Sequence, residues 1–468
     1  MLGGRCERLR CVSPELFEHS GEGTRMKDMT AGSPGRLLLH FSLSLMFGNL
    51  FQQLYTFVDT IIVGQYLGLS ALAALGAVEW LIFVMFGCMQ GVTHGFSIHI
   101  AQKFGSRSLY ELKKSITHSL YLCIGLSALL TVSGLWLGIA LLHLLKTPEE
   151  IIEPAFSYLR ILFAGAFASV FYNFLAGILR ASGDGTSPLK AVAAGSLCNI
   201  GLDLAFVIWL GWGIEGAALA TVLSWVLSAL YCLMVLGKME IIRPERGSWK
   251  PDVSCLGSML SLGIPAGFQN IITGAGGIVV QSVVNGFGVL FIAGFTAANK
   301  LYGLLETAAA SYGYAVASYT GQNAGAHLTD RIRSGLKSAV ALGTLTACLM
   351  SFVMLIFGKK ILGCFLAGEE QAAAAAAVGY EFLVVLAVFF PFLYLLYILR
   401  SCVQGMGDTL LPMISSIVQL FMRVSCALLL TRVIGGRGVF FGEAAAWVGA
   451  DLLLFAVFVH RIKGMEGS

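Results

Sequence analysis

The sequence predicts an all-α polytopic membrane protein: twelve transmembrane helices in two six-helix lobes related by pseudo-twofold symmetry. Three observations carry that prediction. The 468 residues are 57% hydrophobic and only 12% charged, where a soluble domain carries about 25% charged residues. Lysine and arginine alternate between dense and sparse from one inter-span segment to the next. Motifs of the first half return in the same order in the second.

The spans come first. A helix needs about 20 apolar residues to cross a bilayer, and twelve stretches provide them: 37–63, 71–102, 113–143, 152–181, 187–210, 215–237, 255–285, 290–321, 334–358, 373–403, 410–432 and 438–461. Glycine marks many of their ends, as in Gly183-Asp184-Gly185 and Gly405-Met406-Gly407-Asp408, where the aspartates read as turn residues. With the N-terminus inside, 22 of the 30 Lys and Arg fall in inner segments, Arg400 among them. Five fall in outer loops (Lys146, Lys359, Lys360, Arg432, Arg437), and Arg160, Lys300 and Arg423 lie within spans. This bias follows the positive-inside rule, so both termini are expected in the cytoplasm of a bacterial-type plasma membrane. The net charge of +4 is then a matter of topology and implies no nucleic-acid partner.

Residues 1–25 hold Arg5, Arg8, Arg10 and Arg25 without the apolar core of a signal peptide. They read as a disordered extension ahead of Met26, a natural start. The N-lobe then covers 26–240, an inter-lobe loop 241–254, and the C-lobe 255–468. The eleven cysteines are scattered without a CxxC pair and read as small buried hydrophobes.

The repeat gives the symmetry. Gly48-Asn49 falls at Gln269-Asn270, 221 residues on, with Ser44 at Pro265. Gln102-Lys-Phe-Gly105 falls at Gln322-Asn-Ala-Gly325, 220 on, and Gly183-Asp184 with Pro188 at Gly407-Asp408 with Pro412, 224 on. Six spans separate the copies, so both halves share one orientation. That predicts an axis along the membrane normal and a cavity between the lobes, an architecture of transporters.

Ionisable residues inside spans are costly and mark function by default. Asn199 and Asp203 are four apart and share a helix face. The short turn Leu210–Glu215 makes spans 5 and 6 antiparallel, so Asp203 and Thr221 lie at similar depth, about 10 Å in at 1.5 Å per residue. Asp59 lies five residues before the outer end of span 1. Two carboxylates, an amide and a hydroxyl thus converge in the first lobe. Withdrawn from water together, the carboxylates favour taking up a proton, and the same oxygens suit a hard cation such as Na⁺. The competing reading is a polar knot that fixes helix packing. The second-half counterparts of Asp59, Asn199 and Asp203 are Val280, Arg423 and Ala427, which assigns the acid pair to one lobe. Glu79, nine residues into span 2, borders this cluster. Lys300 with Glu306 and Arg423 with Asp451 read as intramembrane pairs, and Glu306 facing the cavity would attract cations. Abundant aromatics suit flat cationic substrates through cation–π contact.

At these residues the sequence resembles the multidrug and toxic compound extrusion family. The stretches that carry the likeness are Asn49–Gly64, Leu179–Asp184 with Pro188, Asn199–Asp203, Gly216–Thr221, Ala297–Lys300 and Gly321–Gly325. The resemblance runs from about Met26 to the C-terminus and is closest to the DNA-damage-inducible branch. It implies a twelve-helix, two-lobe antiporter exporting amphipathic organic cations, driven by H⁺ or Na⁺, a monomer without other cofactor and not an enzyme. It maps a coupling-ion site onto Asp59, Asn199, Asp203 and Thr221 and a cavity residue onto Asn173, beside Glu79 and Glu306. Many members have proline near Ser44, where helix bending is proposed to couple transport; here that proline is missing. The alternative in the same superfamily, a flippase of a lipid-linked precursor, would want more basic residues than Arg160, Lys300 and Arg423. No GxGxxG, Walker A, HExxH or GxSxG motif appears, and the eight histidines are dispersed.

Overall fold

The computed structural model describes residues 27–145, 147–365 and 372–466, and helices fill each of the twelve apolar segments in order. The first half runs α1 (Pro34–Tyr66), α2 (Gly68–Gly105), α3 (Leu109–Leu144), the half-helices α4 (Glu149–Ala164) and α5 (Ala166–Ala181), α6 (Thr186–Asp203) and α7 (Gly213–Gly237). The second runs α8 (Val253–Val284), α9 (Val289–Gly325), α10 (Thr329–Phe365), α11 (Ala372–Gly405), α12 (Leu410–Leu429), the single turn α13 (Thr431–Ile434) and α14 (Phe440–Glu466). There is no strand among the described residues. The expected extension 1–25 lies outside them.

Long apolar runs leave a backbone no partner but its own helix, and the breaks fall where the sequence supplies a turn. Gly183 and Gly407 adopt φ of 81° and 96°, which a side chain would resist. Next to them Asp184 Oδ1 accepts from the amides of Thr186 and Ser187, both at 2.9 Å, and Asp408 Oδ1 accepts from Leu411 N at 3.1 Å. Both act as the turn residues the sequence indicates.

Eight helical runs among the described residues are long and apolar enough to cross a membrane, or nine if α4 and α5, bent by 46°, form one. The sequence reading gives twelve, and the difference has physical causes. The run Leu410–Gly464 counts once, yet it folds back on itself so that Gly442 meets Arg423 and Gly449 meets Met422. Neither α1 nor α9 is among the eight. Each carries polar residues at helical spacing, Asn49, Gln53, Thr56 and Thr60 on α1 and Thr296, Asn299, Lys300 and Thr307 on α9, which dilute its hydropathy.

Buried apolar side chains form two large clusters. One draws on residues 62 to 259, the other on residues 29 to 45 and 280 to 462. Two helices divide between them. α1 begins in the second-half cluster (Leu38, Phe41, Leu45) and ends in the first (Ile62, Val63), while α8 begins in the first (Cys255, Met259) and ends in the second (Val280, Val284). The polar contacts repeat this exchange. Asn49 of α1 donates to Ser311 Oγ of α9 at 3.0 Å, and Asn270 of α8 donates to the Gly87 carbonyl of α2 at 2.6 Å.

The end of the bundle that carries Met29 and Arg461 is tied across the halves. Gln322 accepts from Met29 N (2.8 Å) and donates to the Ala181 carbonyl (2.7 Å). Gln102 donates to the Gly405 carbonyl at 2.9 Å. Arg331 reaches the carbonyls of Gly32 and Met29, each at 3.1 Å.

Candidate functional site

Three helices of the first half bring the sequence candidates to one region. Asp59 is on α1, Asn199 and Asp203 at the end of α6, and Thr221 on α7; α6 packs against both α1 and α7. All four are buried, Asn199 and Asp203 completely. α6 does not end as an α-helix: the π-helical turn Leu204–Trp209 follows Asp203 directly, and such wide turns recur at functional sites.

Asp59 Oδ1, both amide atoms of Asn199 and both oxygens of Asp203 have no hydrogen-bond partner among the described residues. Thr221 Oγ1 donates to the Ala217 carbonyl at 3.1 Å. Asp203 lies in the field of Asp59. Tyr158, fully enclosed on α4, lies in the field of both carboxylates and turns its hydroxyl toward Thr221. Tyr55, one turn before Asp59, joins them. The sequence reading missed both tyrosines, because a phenol in an apolar span carries no signal until the half-helix α4 is placed.

Two stretches of the chain, residues 44–205 and 265–429, match the MatE family model. The chain belongs to the MatE family. The two MatE stretches begin 221 residues apart (44 and 265) and end 224 apart (205 and 429), the offsets of the internal repeat. The chain is 28% identical to the probable multidrug resistance protein YpnP of Bacillus subtilis, covering 94% of this chain and 98% of that one. It is 26% identical to the DNA damage-inducible protein F of Escherichia coli over 70% of this chain and 72% of that one. A solved MOP superfamily transporter from Pyrococcus furiosus superposes with a TM-score of 0.90 at 26% identity, covering 95% of this chain and all of that one. MatE members are transporters and not enzymes, and this chain is a multi-helix membrane transporter.

The remaining MatE candidates scatter. Asn173 is half-buried on α5 and donates to the Ser169 carbonyl at 2.9 Å. Glu79 is exposed on α2 and is not part of the buried group. Glu306 is half-buried on α9 and accepts from the Tyr397 hydroxyl at 2.9 Å.

Both intramembrane pairs expected from sequence are corrected. Lys300 is exposed and does not bond Glu306, whose partner is Tyr397; six residues on a helix place two side chains on diverging faces. Arg423 pairs with Glu443 at 2.7 Å, and Asp451 has no hydrogen-bond partner among the described residues. The antiparallel return of α14 sets Glu443, not Asp451, opposite Arg423. Arg400, which counts as an inner-segment residue in the sequence map, is buried within α11 and donates to Ser416 Oγ at 3.3 Å. The second half therefore has acids of its own, at positions the repeat does not match to Asp59 and Asp203.

Proposed function

We propose that this transporter exports amphipathic organic cations from the cytoplasm in exchange for H⁺ or Na⁺, by alternating access of two six-helix lobes in a bacterial plasma membrane. The carrying observation is the set of buried oxygens without partners, Asp59 Oδ1, Asn199 Oδ1 and both oxygens of Asp203. Carboxylates withdrawn from water without donors are costly, and a proton or a small cation shared among them offsets that cost. Membership in MatE and likeness to a probable multidrug resistance protein support a drug-like cargo.

The cycle follows from the packing. With both termini cytoplasmic, the seal at Gln322, Gln102 and Arg331 closes the inner side, so this is the outward-facing state. α1 and α8 each pack into both clusters and serve as the levers between lobes. Charging the Asp59/Asp203 site from outside favours this state and releases cargo outward. Losing the ion inward resets it. Asn173, Glu79 and Glu306 serve the cavity between the lobes. Exposed Lys300 on the polar face of α9 favours an anionic lipid headgroup instead, but a single base matches a pyrophosphate poorly.

The test is efflux of a fluorescent organic cation from proteoliposomes holding the protein, under an imposed proton or Na⁺ gradient. Gradient-driven efflux that Asp59→Asn abolishes is expected. Equal efflux by wild type and by Asp59→Asn/Asp203→Asn would sink the proposal.

A further inference from the structure

The second half encloses a charged cluster of which the antiport scheme uses only Glu306. Five groups from four helices meet there: Glu306 on α9, Arg400 on α11, Arg423 on α12, and Glu443 and Asp451 on α14. Arg400 lies in the field of Tyr397, Asp451, Glu306 and Arg423, which makes it the hub. Glu306 and Glu443 in turn face Tyr302.

Most of these groups are committed. Arg423 donates to Glu443 at 2.7 Å and to the Thr273 carbonyl at 3.4 Å. Glu306 takes the Tyr397 hydroxyl, and Arg400 donates to Ser416. Asp451 is 5% exposed, and neither of its oxygens has a partner among the described residues. Its basic neighbour acts on it without bonding it.

The charges do not balance. Three carboxyl groups face two guanidiniums, and arginine keeps its proton in proteins. One negative charge is in excess, enclosed within spans where an unpaired charge is costly. One proton removes it. A metal cation fits poorly, since it would have the two Asp451 oxygens on one side and the Arg400 charge on the other.

We infer that Asp451 carries an exchangeable proton, making the second half a proton site separate from the Asp59/Asp203 group. Glu306 is half-buried on α9, the helix whose Asn299 and Lys300 are exposed, and links the cluster to the cavity of the proposed antiport cycle. The Tyr397 hydroxyl, bonded to Glu306 and in the field of Arg400, gives a proton moving between Glu306 and Asp451 a group to pass, with no bond broken other than O–H.

Infrared spectroscopy of the full chain in lipid at neutral pH tests this in an Asp59→Asn/Asp203→Asn background. Exposed carboxylates are ionised there and silent in the protonated C=O region. A protonated-carboxyl band that moves on exchange into D₂O is expected, lost in Asp451→Asn and displaced in Asp451→Glu. If Asp451→Asn fails to fold, the Asp451→Glu displacement decides alone. No such band, or one that Asp451→Glu leaves in place, overturns the assignment. The readout is independent of export, so it stands or falls apart from the antiport proposal.

Discussion

Gly105 and Gly325 close against each other's helix in the same way. A Cβ built on Gly105 would lie 1.9 Å from the Gln322 carbonyl oxygen, and one on Gly325 would lie 1.9 Å from the Gln102 carbonyl oxygen. The residues are three apart in each copy of the repeat, so α2 and α9 cross reciprocally at the end that carries Met29 and Arg461. No side chain fits there without moving backbone. Gly105→Ala and Gly325→Ala are each expected to weaken this closure by about 1–3 kcal/mol, the usual cost of overpacking. At 1.4 kcal/mol per tenfold, closed and open populations shift by about 5- to 140-fold. Spin-label distances across the same ends of α3 and α10 should lengthen alike in both variants. A shift in one variant only would refute their equivalence.

The Asp59/Asp203 pair makes a prediction in which function and stability part. Each carboxylate is buried without a bonded donor, and asparagine keeps the shape while removing the charge. Asp59→Asn is expected to abolish gradient-driven efflux. The thermal midpoint should hold or rise, since a buried unpaired charge is removed. A fall in both together would recast the group as a packing device.

How far the sequence revealed this depends on which force acts. Asn199 and Asp203 were legible because i,i+4 spacing and a short turn fix their faces and depth, and Asp59 because a carboxylate in an apolar run must be accounted for. Asp184 and Asp408 were legible for a local reason, the glycine beside each. Tyr158, Arg400 and Glu443 were not, since their placement depends on the 46° bend between α4 and α5, the depth of α11 and the return angle of α14. The two mistaken pairs share that cause: composition says that a buried charge needs a partner, while only packing says which.

Asp252, outside the spans, supplies a pH test. It caps α8 by accepting from the amides of Ser254 (2.8 Å) and Cys255 (3.3 Å) and pairs with Lys114 of α3 at 2.5 Å. The Lys114 ammonium first, and the two amides next, hold its carboxyl below the ordinary 3.8. A lowered folded-state value means the contribution is complete above 3.8 and fades as pH falls through the lower folded-state value. Hydrogen exchange in residues 240–252 should therefore stay slow from neutral pH down to about 4 and speed up below it. In Asp252→Asn that acid-dependent step should be absent; a step of unchanged size would remove Asp252 as its cause.

The Arg423–Glu443 pair separates a bonded charge from an idle one. Both side chains are largely enclosed, at 9% and 17% exposure, and the arginine replaces the asparagine that the repeat places at Asn199. Removing one member of a buried pair strands the other, at a cost of about 3–5 kcal/mol. Arg423→Met should therefore be strongly destabilising, because Glu443 is left beside Glu306 and Tyr302 without its bonded guanidinium. Arg423→Met/Glu443→Gln removes both charges and should recover most of that loss. Thermal or denaturant unfolding of the two single variants and the double variant gives the coupling energy. Recovery in the double variant marks the pair as self-compensating. Additive losses would mean that Arg423 is held in place mainly by its bond to the Thr273 carbonyl of α8, and that it joins α12 to the lever helix rather than to α14.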